Sequence, residues 1–102
     1  MVNDVVVDKV KMSIYKYSLE VTGEQVVVLP VGAKVLCVQT QNEVPCIWAL
    51  VSVAPGVAVE TRTFLTYGTG QPMTDTAGGA YVGTYQLRNG ALVFHVFEQV
   101  KE

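Results

Sequence analysis

A chain of 102 residues holds one domain's worth of core, enough to bury roughly two thirds of its unfolded surface and to fold without covalent staples. Apolar residues make up 50% and charged residues 16%, where about 25% charged is usual, so a sheet covered on both faces or a homo-oligomer is expected. Seven Lys and Arg against nine Asp and Glu leave a net charge of -2, without the basic stripe that general nucleic-acid binding demands.

No window approaches the roughly 20 apolar residues of a membrane span. Asp4 and Asp8 interrupt the start where a signal peptide needs an unbroken apolar stretch, so the expected compartment is the cytoplasm. Residues 1–11, in which Val2, Val5, Val6, Val7 and Val10 are broken by Asn, Asp and Lys without a clean period, read as an N-terminal extension. It could be an added edge strand, an arm exchanged between copies, or a tail. Residues 12–98 read as one compact domain and residues 99–102 as a short C-terminal tail.

Within the domain, short runs rich in Val, Thr, Tyr and Phe alternate with Gly, Pro, Asn and Asp, the pattern of a compact antiparallel all-β fold. Strands are predicted over 12–21, 25–30, 33–41, 46–53, 57–67, 80–87 and 91–98. The fold class is a single-domain antiparallel β sandwich or flattened barrel of about seven strands. In the stretch Asn42 to Pro45, a four-residue loop sets Gln41 opposite Cys46, Gln39 opposite Trp48 and Cys37 opposite Leu50. Leu36, Val38 and Thr40 then share a core-like face with Ile47, Ala49 and Val51. The opposite face combines Val35, Cys37, Gln39 and Gln41 with Trp48 and Leu50, an aromatic plate beside amides suited to an interface or a stacked planar ligand.

At the other hairpin, Asn89-Gly90 is a type I′ signal because both residues tolerate positive φ. Counting back sets Leu87 opposite Leu92, Tyr85 opposite Phe94, Thr84 opposite His95 and Val82 opposite Phe97. Leu87, Leu92, Tyr85, Phe94 and Val96 form a core face, with Gln86, Thr84 and His95 behind it.

From Met12 onward the chain resembles a family of small uncharacterised proteins of bacteria and their phages. The resemblance rests on IYKYSL (14–19), PVGAKVLCV (30–38), Gln39-Thr40-Gln41, PCIWALV (45–51), Thr61-Arg62-Thr63-Phe64, Tyr67-Gly68-Thr69-Gly70, YVGTYQ (81–86) and LVFHVFE (92–98). Ser18 stands where the pattern has proline. The family is a domain of unknown function, so the resemblance implies a phage or prophage setting and no mechanism.

Catalysis by a nucleophile needs a base and usually an orienting acid, and His95 is the single histidine. It reads foremost as a neutral imidazole hydrogen-bonded in a sheet. Cys37 and Cys46 read as free thiols on apolar strands with nothing nearby in sequence to activate them. Two cysteines nine positions apart lack the ligand spacing of structural zinc, and no metal or cofactor is expected. Gly68-Thr69-Gly70-Gln71-Pro72 reads as a loop start needing positive φ, with an anion nest as the functional alternative.

Arg62, on a strand face with Ala58, Glu60, Phe64 and Thr66, reads as a cross-strand ion pair or as a fork for phosphate or carboxylate. The candidate ligand-binding residues are Gln39, Gln41, Trp48, Arg62, Tyr67 and His95. The leading expectation is a non-enzymatic accessory protein that acts by binding, either trapping a small nucleotide-type signal or blocking a host protein. The alternatives are an assembly module working through homo-oligomerisation and a small hydrolase using His95.

Overall fold

The computed structural model describes residues 11–73 and 79–99. It is all-β and sandwich-like, with no helix among the described residues. Seven antiparallel strands run β1 Met12–Ser18, β2 Glu24–Pro30, β3 Lys34–Gln41, β4 Val44–Ser52, β5 Val59–Gly68, β6 Gly79–Leu87 and β7 Leu92–Gln99. They form a three-stranded sheet ordered β1-β4-β3 and a four-stranded sheet ordered β2-β5-β7-β6, so the fold is an open sandwich rather than a closed barrel.

Alternation of side chains builds the core. Ile47, Ala49 and Val51 of β4, with Val38 of β3, point inward from one sheet. Val27 and Leu29 of β2, Phe64 of β5, Val96 of β7, and Tyr85 and Leu87 of β6 meet them from the other. Phe64, Leu29, Ile47, Val51 and Val96 are fully enclosed.

The β6–β7 hairpin adopts the expected register from Leu87 opposite Leu92 to Thr84 opposite His95. Its turn winds left-handed through three residues, Arg88, Asn89 and Gly90. Beyond Gly83 the pairing shifts at a bulge, so Tyr81 and not Val82 stands opposite Phe97, while Val82 packs against the core. A bulge adds one residue to one strand and so re-aims the side chains past it.

The β3–β4 hairpin departs further from expectation. Asn42 and Glu43 both take positive φ, 52° and 66°, and close a two-residue turn. Gln41 therefore faces Val44, Gln39 faces Cys46 and Cys37 faces Trp48. The slide is by two residues, one full side-chain period, so each face keeps its membership near the turn while the neighbours change. A bulge between Val35 and Cys37 then reverses the rest: Val35 packs against the core and Leu36, expected inside, is exposed. Glu43 also joins the two hairpin tips, its carboxylate accepting the Arg88 backbone N–H at 2.9 Å.

The sheets meet chiefly where β3 packs on β6. There Gly83 lies so close to β3 that a Cβ would stand 2.9 Å from Val38 Cγ1 and 3.5 Å from Val38 N. Valine is stiff and the backbone cannot yield, so Gly83→Ala should cost about 1–3 kcal/mol; chemical denaturation that leaves the midpoint unchanged would contradict this close approach.

Tyr85 is enclosed in the core, with its hydroxyl lacking a hydrogen-bond partner. Burial pushes its phenol pKa up, so the folded chain holds that proton more tightly than the unfolded chain. Its contribution is intact below the ordinary phenol range, about pH 10, and is lost as pH rises through the raised folded value. Tyr85→Phe is expected to leave neutral-pH stability nearly unchanged and to flatten the alkaline decline. Both are readable from urea midpoints measured across pH.

Candidate functional site

The six candidate residues occupy three separate places. Gln39, Gln41 and Trp48 share the outer face of the three-stranded sheet. Trp48 is half-buried, its indole N–H covered and unpartnered, while both glutamines are exposed. The side-chain carbonyl of Gln41 accepts a hydrogen bond from the Lys16 ammonium. Lys16 is the register neighbour of Trp48 on β1, so this bond runs across β4 on the diagonal that passes Cys46. Cys46 is buried and Cys37 is half-buried, and both are free thiols.

Arg62 points inward. Its Nε donates to Glu98 Oε2 at 2.6 Å, Nη2 donates to Glu98 Oε1 at 3.1 Å, and Nη1 donates to the Ala33 carbonyl at 2.6 Å. Glu60 stands 3.6 Å from Nη1 and accepts the Gly32 backbone N–H at 3.3 Å. The hydrogen bond to Glu98, opposed by burial, raises the Arg62 pKa further above its ordinary value. The guanidinium fork is thus filled from within the chain by a bidentate carboxylate. The Arg62 and Glu98 side chains keep only 16% and 21% of their surface, so Glu98→Ala would strand a largely covered cation. A loss of about 2–3 kcal/mol is expected; a variant unfolding at the natural midpoint would refute the pair's structural role.

Tyr67 and His95 are direct register partners on the outer face of the four-stranded sheet. His95 is held at both ring nitrogens, Nδ1 at 2.9 Å from Thr84 Oγ1 and Nε2 at 2.7 Å from Thr69 Oγ1. Tyr81 Oη continues the chain 2.5 Å from Thr84 Oγ1, and the Thr69 hydroxyl donates to the Val93 carbonyl at 3.4 Å. One direction satisfies every link with a neutral imidazole: Tyr81 donates to Thr84, Thr84 to Nδ1, Nε2–H to Thr69, and Thr69 to Val93. Both threonine hydroxyls then give one proton and accept another, and the Tyr81 hydroxyl donates. No carboxylate or thiol enters this chain of hydrogen bonds.

Around this network the face is apolar and aromatic. Phe97 lies edge-on to Tyr67 at 6.2 Å and to Tyr81 at 5.5 Å. Leu65 is opposite Phe97, and Val26 and Val28 extend the face over β2, both exposed. All three charged residues of β5 and β7, Glu60, Arg62 and Glu98, lie on the inward face, and β6 has no charged residue. The outer face of these three strands is therefore uncharged, the reverse of a sheet with a solvated outer surface.

Sequence reasoning singled out Tyr67 and His95 but passed over Tyr81, Phe97 and Thr69. The available signal was alternation: charges fall at positions 60, 62 and 98, in phase with buried Phe64 and Val96 rather than against them.

Apart from these surfaces, a cleft of about 200 Å³ is lined by Val21, Thr22, Gly23, Thr66, Gln71 and Phe94. None of the six candidates lines it, and it falls below the roughly 300 Å³ at which ligand pockets begin. In the segment Gly68 to Pro72, Gly70 takes positive φ and the Gln71 side chain caps the Gly68 N–H at 2.8 Å. No group of three His, Cys, Asp or Glu side chains converges as a metal site among the described residues.

Fold and surfaces together define a small open β sandwich with an aromatic outer face that is uncharged across β5, β6 and β7. The chain belongs to the family described as a domain of unknown function (DUF7352), whose model matches residues 11–102. Comparison with curated proteins and with solved structures found no match.

Proposed function

We propose that this protein acts by binding rather than by catalysis, and that its working surface is the outer face of the four-stranded sheet, uncharged across β5, β6 and β7 and carrying Glu24 alone at its β2 end, covered in use by an apolar protein surface. The carrying observation is the inverted charge pattern: Glu60, Arg62 and Glu98 turn inward and pair, while Val26, Val28, Leu65, Tyr67, Tyr81 and Phe97 turn outward. Removing a few kinds of side chain from water would be the driving force, and aromatic residues flanked by hydroxyls are the usual material of such surfaces. His95, locked at both nitrogens, acts as a rigid polar centre within it.

A flat face favours a protein over a small molecule, since ligand sites are concave. A trap for a nucleotide-type signal has less support, because Gln39, Gln41 and Trp48 lie on the other sheet and Arg62 is already occupied. In the phage or prophage setting that the sequence resemblance suggests, the partner would be a host protein to be blocked or another component of an assembly.

The test is affinity capture with the tagged full chain and with Val26→Asp and Val28→Asp, both at exposed positions and expected to melt like the natural protein. A partner recovered with the natural chain and lost, at least tenfold, with both variants supports the reading. Identical recovery from all three equally stable proteins overturns it.

A further inference from the structure

Among the described residues, the four edge strands are β1 and β3 in one sheet and β2 and β6 in the other. An open edge presents unpaired N–H and C=O groups to any passing strand, and sheets blunt it with proline, bulges, glycine or charge. Three of the four are blunted. β3 is bulged at Leu36 and β6 at Val82, with Gly79 and Gly83 also in β6. In β2, hydrogen bonds from Thr66 N to Gly23 O and from Val31 N to Ala58 O bracket the ladder. Alternation then turns the backbone of Val26, Val28 and Pro30 outward, so the proline removes a donor from the open side.

β1 has none of these devices. Its seven residues pair with β4 one for one without a bulge, and MSIYKYS contains neither glycine nor proline. Met12, Ile14 and Tyr15 are 46%, 57% and 48% exposed, and they lie on both faces of the strand. Its one charge, Lys16, is drawn across the sheet to Gln41 on β3 and so away from the edge. The bonds from Val53 N to Lys11 O at 3.0 Å and from Leu19 N to Pro45 O at 2.8 Å assign Lys11, Ser13, Tyr15, Tyr17 and Leu19 to the β4 ladder. Met12, Ile14, Lys16 and Ser18 therefore turn their backbone groups to the open side.

We propose that this edge is a dimerisation site, at which a second copy of the chain adds its own β1 antiparallel to give a continuous sheet β3-β4-β1-β1-β4-β3. The strand is self-complementary about Tyr15. A two-fold axis there sets Met12 opposite Ser18 and Ile14 opposite Lys16, so no lysine faces its own copy. It also places Tyr15 against its counterpart and Ser13 against Tyr17, cross-strand pairs of a stabilising kind. All four outward backbone positions are used in that register, and a two-fold interface closes on itself without propagating a fibre. The dimer is independent of the outer-face reading above, which concerns the other sheet.

The experiment combines sedimentation with amide hydrogen exchange on the full natural chain from about 5 to 200 μM, the span in which an edge interface of modest area associates. The expected result is a concentration-dependent dimer in which the Ile14 and Lys16 amides slow at least tenfold toward high concentration, while Ser13, Tyr15 and Tyr17 are protected throughout. Lys16→Pro, which removes an N–H outside the β1–β4 ladder, is expected to be monomeric and folded. If that variant does not fold, exchange on the natural chain decides alone. A monomer throughout overturns the proposal, including one whose Ile14 and Lys16 amides are protected by residues 1–10 of the same chain. A dimer whose Ile14 and Lys16 amides exchange freely also overturns it and leaves the outer-face reading standing.

Discussion

The pairing of Arg62 with Glu98 sets the phase of the four-stranded sheet. Strand side chains alternate with a period of two, so a slip of one residue would exchange inside for outside along the whole strand. Arg62 holds β5 to β7 through two hydrogen bonds to one carboxylate and ties both to the β2–β3 connection through the Ala33 carbonyl. A slipped β5 would carry the guanidinium to the outer face and abandon a partly covered carboxylate, a costly exchange. With the phase held, Phe64 and Val96 must enter the core, and Tyr67, His95 and Phe97 must leave it.

That arrangement spends the scarce charge of the chain on the interior margin and leaves little for the broad outer face. A surface built this way has hydrogen-bonding groups that are already engaged, as in the run from Tyr81 to Thr69 through His95. The polar atoms of that run can be dried without being left unsatisfied, which favours tight apolar contact around them. The outer face of the three-stranded sheet differs. It keeps Lys16, Lys34, Gln39 and Gln41 around Trp48 and Leu50, a mixed surface that remains compatible with water.

Much of the architecture was legible because it follows from local rules. Seven strands, their antiparallel character and the register near Asn89-Gly90 come from alternation and turn chemistry that neighbouring residues carry themselves, whereas the strand order does not. The β3–β4 register was not legible, because Asn42-Glu43 is a poor advertisement for a turn needing positive φ at both positions, and glutamate is not a residue that normally signals it. Neither bulge could be read, since each depends on how β3 and β6 fit against one another across the sandwich rather than on its own sequence. Among the candidate site residues, those chosen for chemical type proved to be scattered, because residue type says nothing about which sheet a strand joins. The face that emerged was readable only through phase: charge and aromatic positions had to be compared along β5 and β7 together.

The strand order has a kinetic side. β3 with β4, and β6 with β7, are neighbours in the chain and close through short turns. β1 must span two intervening strands before it can pair with β4, and β2 must span two more before it meets β5. Loop-closure entropy makes such distant pairings slow relative to hairpins. β1 emerges before β4 during synthesis and therefore has to wait for it. Throughout that wait both of its edges are unclaimed, so the same regular, unprotected sequence that suits it to meet its own kind also lengthens its exposure to mispairing.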